Sequence, residues 1–78
     1  MSAEQVLYQS PLLYRVLREA SGALVIEVVV GGIAMSAVRV RLDAQEAESY
    51  AREGSSFSDQ LAREIMARPS FDGRAFDA

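Results

Sequence analysis

Apolar positions are densest in residues 24–42, LVIEVVVGGIAMSAVRVRL, where Val and Ile dominate and two adjacent glycines interrupt the run. β-branched side chains suit a pleated, half-buried surface, so the pattern predicts two strands joined as a hairpin. In the first strand Leu24, Ile26, Val28 and Val30 share a face. In the second, Ser36, Val38, Val40 and Leu42 share a face, with Ala37, Arg39 and Arg41 on the reverse. A two-residue Gly31-Gly32 turn pairs Ile26 with Ala37 and Leu24 with Arg39, which puts a guanidinium on the apolar side. A three-residue connection centred on Gly32 pairs Ile26 with Val38 and Leu24 with Val40. A one-residue slip turns every side chain over, so burial selects the second register. Glycine supplies the left-handed residue that this turn needs.

Residues 12–19, LLYRVLRE, carry two periods at once. Read as a helix, Leu13, Val16, Leu17 and Ala20 form a stripe, with Ser10 as N-cap, Pro11 in the first turn and Gly22 as the stop. Read as a strand, Leu12, Tyr14 and Val16 share one face and Leu13, Arg15 and Leu17 the other. The strand is preferred because a lone hairpin is marginal in water and a third strand relieves this. A turn centred on Ser21 then pairs Val16 with Ile26, Tyr14 with Val28 and Arg15 with Glu27, with Arg39 diagonal to Glu27. Such cross-strand charge pairs contribute roughly 0.2–1 kcal/mol each and mark the outward face.

From Asp43 the period becomes helical. Asp43 and Glu46 have capping-box spacing, Ala44, Ala47, Tyr50 and Ala51 form a stripe, and Gly54 ends the helix. The small alanines suit close packing on the sheet. A second helix is expected over roughly residues 57–67, capped by Ser55 or Ser56 and stopped by Pro69. Its stripe is Phe57, Leu61, Ile65 and either Ala62 or Met66. The fold class this implies is α+β: a three-stranded antiparallel meander followed by two C-terminal helices packed on one face. The alternative order is α-β-β-α-α, with residues 11–20 helical. Residues 1–10 read as a loosely held arm anchored by Val6, Leu7 and Tyr8, and residues 69–78 as a tail that repeats Phe-Asp.

Seventy-eight residues make one domain, 1–78, with a marginal core. The chain has neither Cys nor His, which removes disulfides, thiolate metal sites, the commonest general base and the commonest metal ligand. Stability must come from packing or from a partner subunit. The N-terminus lacks a basic region followed by an apolar run, and the longest apolar run contains Glu27 and is too short to span a bilayer. The expected location is the cytoplasm, with no membrane partner. All eight basic residues are Arg and Ala is abundant, a bias that fits a GC-rich bacterial genome.

Net charge is −3, unevenly spread. Residues 13–42 carry four arginines against Glu19 and Glu27, and residues 43–78 carry eight acids against four arginines. An acidic helical half argues against nucleic acid as a partner, because phosphate contacts need a basic face.

No motif carries catalysis, so neither an enzyme nor a cofactor is expected. Gly31-Gly32 lacks the further glycines and Lys-Ser/Thr pair of a phosphate loop and reads as a turn. Ser55 and Ser56 suit helix capping more simply than anion binding. Asp43, Glu46 and Glu48 are able to serve as acid–base or cation groups, but favourable charge at a helix N-terminus explains them more simply. Tyr14 and Tyr50 fall on inward stripes as core residues, with a shared small-ligand pocket as the sharper alternative, and Tyr8 is the remaining phenol.

The outer sheet face is the candidate site. It is expected to show Leu13, Leu17, Val25, Val29, Met35 and Ala37 around Arg15, Glu27, Arg39 and Arg41. Monomers rarely leave that much contiguous apolar surface wet. Three covers compete: the N-terminal arm or the Phe71/Phe76 tail, a second copy in an isologous homodimer, or a different protein. The functional expectation is a non-enzymatic protein that self-associates through its sheet. A second reading is an acidic inhibitor or immunity-type protein that presents Glu46, Glu48 and Glu53 to a basic partner. A third is a small-ligand binder between sheet and helices.

Overall fold

The computed structural model describes residues 4–11, 13–30 and 36–77. The Gly31-Gly32 turn, Met35 and Leu12 lie outside the described residues. Strands β1 (Gln5–Ser10), β2 (Tyr14–Arg18), β3 (Leu24–Val30) and β4 (Ser36–Arg41) form an antiparallel meander. Helices α1 (Ala44–Glu53) and α2 (Ser55–Ala67) follow. A short 3-10 turn (Phe71–Gly73) then leads to the two-residue strand β5 (Phe76–Asp77), which pairs onto β4. The α+β class and the antiparallel sheet with two helices after it are as expected. The strand count is not, because part of the supposed arm is β1 and the end of the tail is β5. Residues 14–18 are a strand, which removes the α-β-β-α-α alternative.

Between β2 and β3 the register is the expected one, with Tyr14 opposite Val28, Arg15 opposite Glu27 and Val16 opposite Ile26. Between β3 and β4 it is displaced by two residues, with Ile26 opposite Val40, Val28 opposite Val38 and Val30 opposite Ser36. The even shift preserves which side each residue faces. Val38 and Val40 still look the same way as Ile26 and Val28. It also moves Arg39 from a diagonal position to directly opposite Glu27.

The core lies between the inner sheet face and α2. Tyr14, Val16, Ile26, Val28 and Val40 meet Leu61, Ala62 and Ile65, and Phe71 closes one side. α2 delivers this stripe from Ser58, Leu61, Ala62 and Ile65, while Met66 turns out to solvent. Helix α1 buries no residue fully; Ala47 and Tyr50 are half-buried and Ala44 and Ala51 are exposed. The expected alanine stripe therefore does not seat α1 on the sheet, since α2 is the helix that carries the apolar stripe over its centre. α1 is held instead by Tyr50, which packs against the core, and by its N-terminal capping box. The Asp43 carboxylate accepts from Glu46 N–H at 2.8 Å, and the Glu46 carboxylate accepts from Asp43 N–H at 2.9 Å.

Gly54 is both the end of α1 and the N-cap of α2, at φ 61° and ψ −134°. Its left-handed backbone reverses the chain without a linker. Ser55 and Ser56 consequently sit inside the first turn of α2 and cap nothing. Replacing Asp43 with Ala removes one half of the capping box and is expected to destabilise the domain by about 1 kcal/mol. Thermal denaturation should show this as a fall in Tm of roughly 5 °C.

Candidate functional site

The reverse face of the sheet, turned away from α2, carries a continuous line of ion pairs. Glu27, in the middle of β3, accepts from Arg15 Nε at 3.0 Å on β2 and from Arg39 Nε at 2.8 Å on β4. Arg39 donates onward to Glu4 at 2.8 and 3.2 Å, so the chain just ahead of β1 reaches across this face. Arg41 and Glu19 form a second pair at 2.8 Å, from β4 to the end of β2, with β3 lying between them. The Arg41 guanidinium also stacks 5.0 Å from the ring centre of Phe76, which pairs with Arg39.

Glu27 is only 15% exposed in its side chain. Burial acts to raise its pKa, but the hydrogen bonds from Arg15 and Arg39 outweigh that and hold the carboxyl below its ordinary value. Glu19 is likewise lowered, chiefly by its hydrogen bond from Arg41. A group whose folded pKa is depressed stabilises the fold above its unfolded value and loses that contribution as pH falls. For Glu27 the loss begins as pH drops through its ordinary value of 4.5 and continues down to the lower folded value. Glu27→Gln should therefore lower stability at neutral pH and flatten the decline of Tm below that value.

The candidate interface residues divide into three groups. Leu17 and Val25, direct partners across β2 and β3, are fully buried within the single chain. Val6 stands opposite Leu17 and Arg41 opposite Val25. Glu27 and Arg39 are mostly covered and satisfied by the ion pairs, and Arg41 is exposed but paired. Leu13, Arg15, Val29 and Ala37 keep accessible surface. The free part of the face thus lies toward the β1–β2 turn.

A hollow of about 250 Å³ opens at that end, bordered by Gln9, Leu13, Arg15, Glu27 and Val29. Four large apolar side chains are prominently exposed among the described residues, and three of them, Val6, Leu7 and Leu13, belong to the first hairpin. Sequence reasoning missed Val6 as part of the reverse face. A bulge explains why, because Val6 pairs with Leu17 while Tyr8 pairs with Val16, leaving Leu7 as the extra residue. Val6 and Tyr8 then face opposite sides although they are two residues apart.

On the inner side, the Tyr14 hydroxyl donates to the Asp59 carboxylate and lies 2.8 Å from Ser58 Oγ. Burial first, then the Asp59 hydrogen bond, pushes the phenol up to about 12. Burial also raises Tyr50. Tyr14 stacks obliquely on Tyr8 at 5.9 Å between ring centres. The space it shares with Asp59, Ala62, Arg63 and Met66 is about 190 Å³, below the range of roughly 300–1,000 Å³ for small-molecule pockets. Phenolate absorbance should show one tyrosine ionising near 12, and Tyr14→Phe should remove that step.

The acidic candidates are dispersed. Glu46 is held by Arg74 at 2.5 Å as well as by its capping bond, whereas Glu48 and Glu53 lie exposed on α1. Among the described residues no group of three acidic side chains is placed to hold a metal ion, and no helix is long and apolar enough to cross a membrane. No protein-family model, curated protein or solved structure matches the chain.

Proposed function

We propose that this chain is a small non-enzymatic protein that self-associates through the reverse face of its sheet, at the end bordered by the first hairpin. The observation that carries this reading is exposed Leu13 at the hollow that Arg15 and Val29 also border, with Val6 exposed further along the same hairpin. Contiguous exposed apolar surface rimmed by polar groups is the usual mark of an interaction site.

Charge favours a second copy as the partner. On this face Arg15, Arg39 and Arg41 balance Glu4, Glu19 and Glu27, whereas residues 43–78 carry eight acids against four arginines. Two copies meeting through the sheet bring neutral surfaces together, and two meeting through their helices oppose like charge. The acidic-inhibitor reading is less well supported, because Glu46 is already engaged by Arg74 and only Glu48 and Glu53 stay open on α1.

Sedimentation equilibrium over a wide concentration range should show the mass rising from one chain toward two. Val29→Arg should hold the chain monomeric over that range while changing Tm by only a few degrees. A parent chain that stays monomeric throughout rejects the reading.

A further inference from the structure

A strand at the rim of a sheet presents unpaired N–H and C=O groups to other chains, and proteins guard such edges. The two flanks of this meander differ. β1 carries the bulge at Leu7, which breaks its ladder in mid-strand. β4 has no such break, and it pairs with β3 in unbroken register from Ser36 to Arg41. Leu42 N–H donates to the Leu24 carbonyl, on β3, at 2.9 Å. Backbone groups alternate sides along a strand, so those of Val38 and Val40 also turn toward β3, and those of Arg39 and Arg41 turn outward. The C-terminal segment meets both outward positions. Phe76 stands opposite Arg39, and the Arg74 guanidinium donates to the Arg41 carbonyl at 2.9 Å.

The segment is latched at two points. The Arg74 guanidinium holds the Glu46 carboxylate at 2.5 Å and lies 5.1 Å from the ring centre of buried Phe71, so it links the β4 edge to α1 and to the core. The Phe76 ring takes the Arg41 guanidinium at 5.0 Å. β5 is two residues long, Phe76 is half-buried, and Ala75 touches the core only as a partly buried residue. A strand this short adds little to the fold, yet it covers the outward groups of β4. We propose that residues 74–77 are an edge guard, a strap latched by Arg74 and Phe76 that denies β4 to a strand of a second copy. The strap opens without unfolding the sheet, because no fully buried side chain belongs to it among the described residues. Arg39 and Arg41 do not guard the edge themselves, since Glu27, Glu4 and Glu19 draw their side chains over the reverse face. With the strap lifted, β4 is the regular ladder on offer and β1 the broken one, so two copies meet β4 to β4. This guard is independent of association through the reverse face.

The test uses Arg74→Ala and Phe76→Pro in the full chain, each also combined with Val29→Arg to remove association through the reverse face. Proline lacks the N–H that Phe76 offers to the Arg39 carbonyl. Hydrogen exchange at the Arg39 amide should quicken by about tenfold or more in both variants, with the Val38 and Val40 amides unchanged. Sedimentation of the combined variants at high concentration should show mass rising toward two chains, above that of Val29→Arg alone. That rise supports the guard even where the parent chain is monomeric, the outcome that rejects the reverse-face reading. Faster exchange at Arg39 with no added mass overturns the guard, because the edge is then open and attracts nothing. Unchanged exchange at Arg39 in both variants overturns the latch. Exchange that quickens equally at Val38 and Val40 also overturns the proposal, because the segment then belongs to the cooperative fold.

Discussion

The structure turns on Glu27 standing between Arg15 and Arg39. Valine alternation alone fixes only which side of the sheet each residue faces. It leaves β3 and β4 free to slip by two residues, since a slip that sets Val38 against Ile26 and Val40 against Leu24 keeps every side chain on the same side of the sheet. The ion pair breaks that degeneracy, because only one of these registers sets Arg39 directly opposite Glu27. A one-residue slip is excluded more strongly, since it drives a charged side chain into the core that α2 covers. One carboxylate thus links three strands, ties in the segment ahead of β1 through Arg39 and Glu4, and closes the centre of the reverse face.

That closure leaves little open surface at the centre of the reverse face. Leu17 and Val25 are sealed within the chain, and the arginines at the middle of the face have their carboxylates. The remaining accessible surface lies beside Leu13 and Val29, where the β1–β2 turn holds a leucine in a backbone shape better suited to glycine. The acidic excess sits on the helical side, and the charged groups of the sheet side balance one another.

Much of this was legible from residues. The strands at 14–18, 24–30 and 36–41 follow from alternation, and α1 follows from the Asp43–Glu46 spacing and Gly54. The β3–β4 register was not legible from apolar spacing, for the reason of the two-residue degeneracy; pairing Glu27 with Arg39 was the available signal. β1 escaped because its bulge breaks the period of two, so QVLYQS shows no alternation although it is a strand. Alternation set Arg15, Glu27 and Arg39 together on the reverse face, but it did not show that Leu17 and Val25 are buried there. The strain at Leu13 belongs to backbone geometry and has no signature in residue type.

Isotope-filtered NOE spectroscopy on an equimolar mixture of labelled and unlabelled chain tests the proposed self-association through the reverse face most directly. The account predicts intermolecular cross-peaks from the methyl groups of Leu13 and Val29. Intermolecular cross-peaks from Ala44 or Ala51 on α1 with none at Leu13, or no intermolecular cross-peak at any concentration, would contradict it.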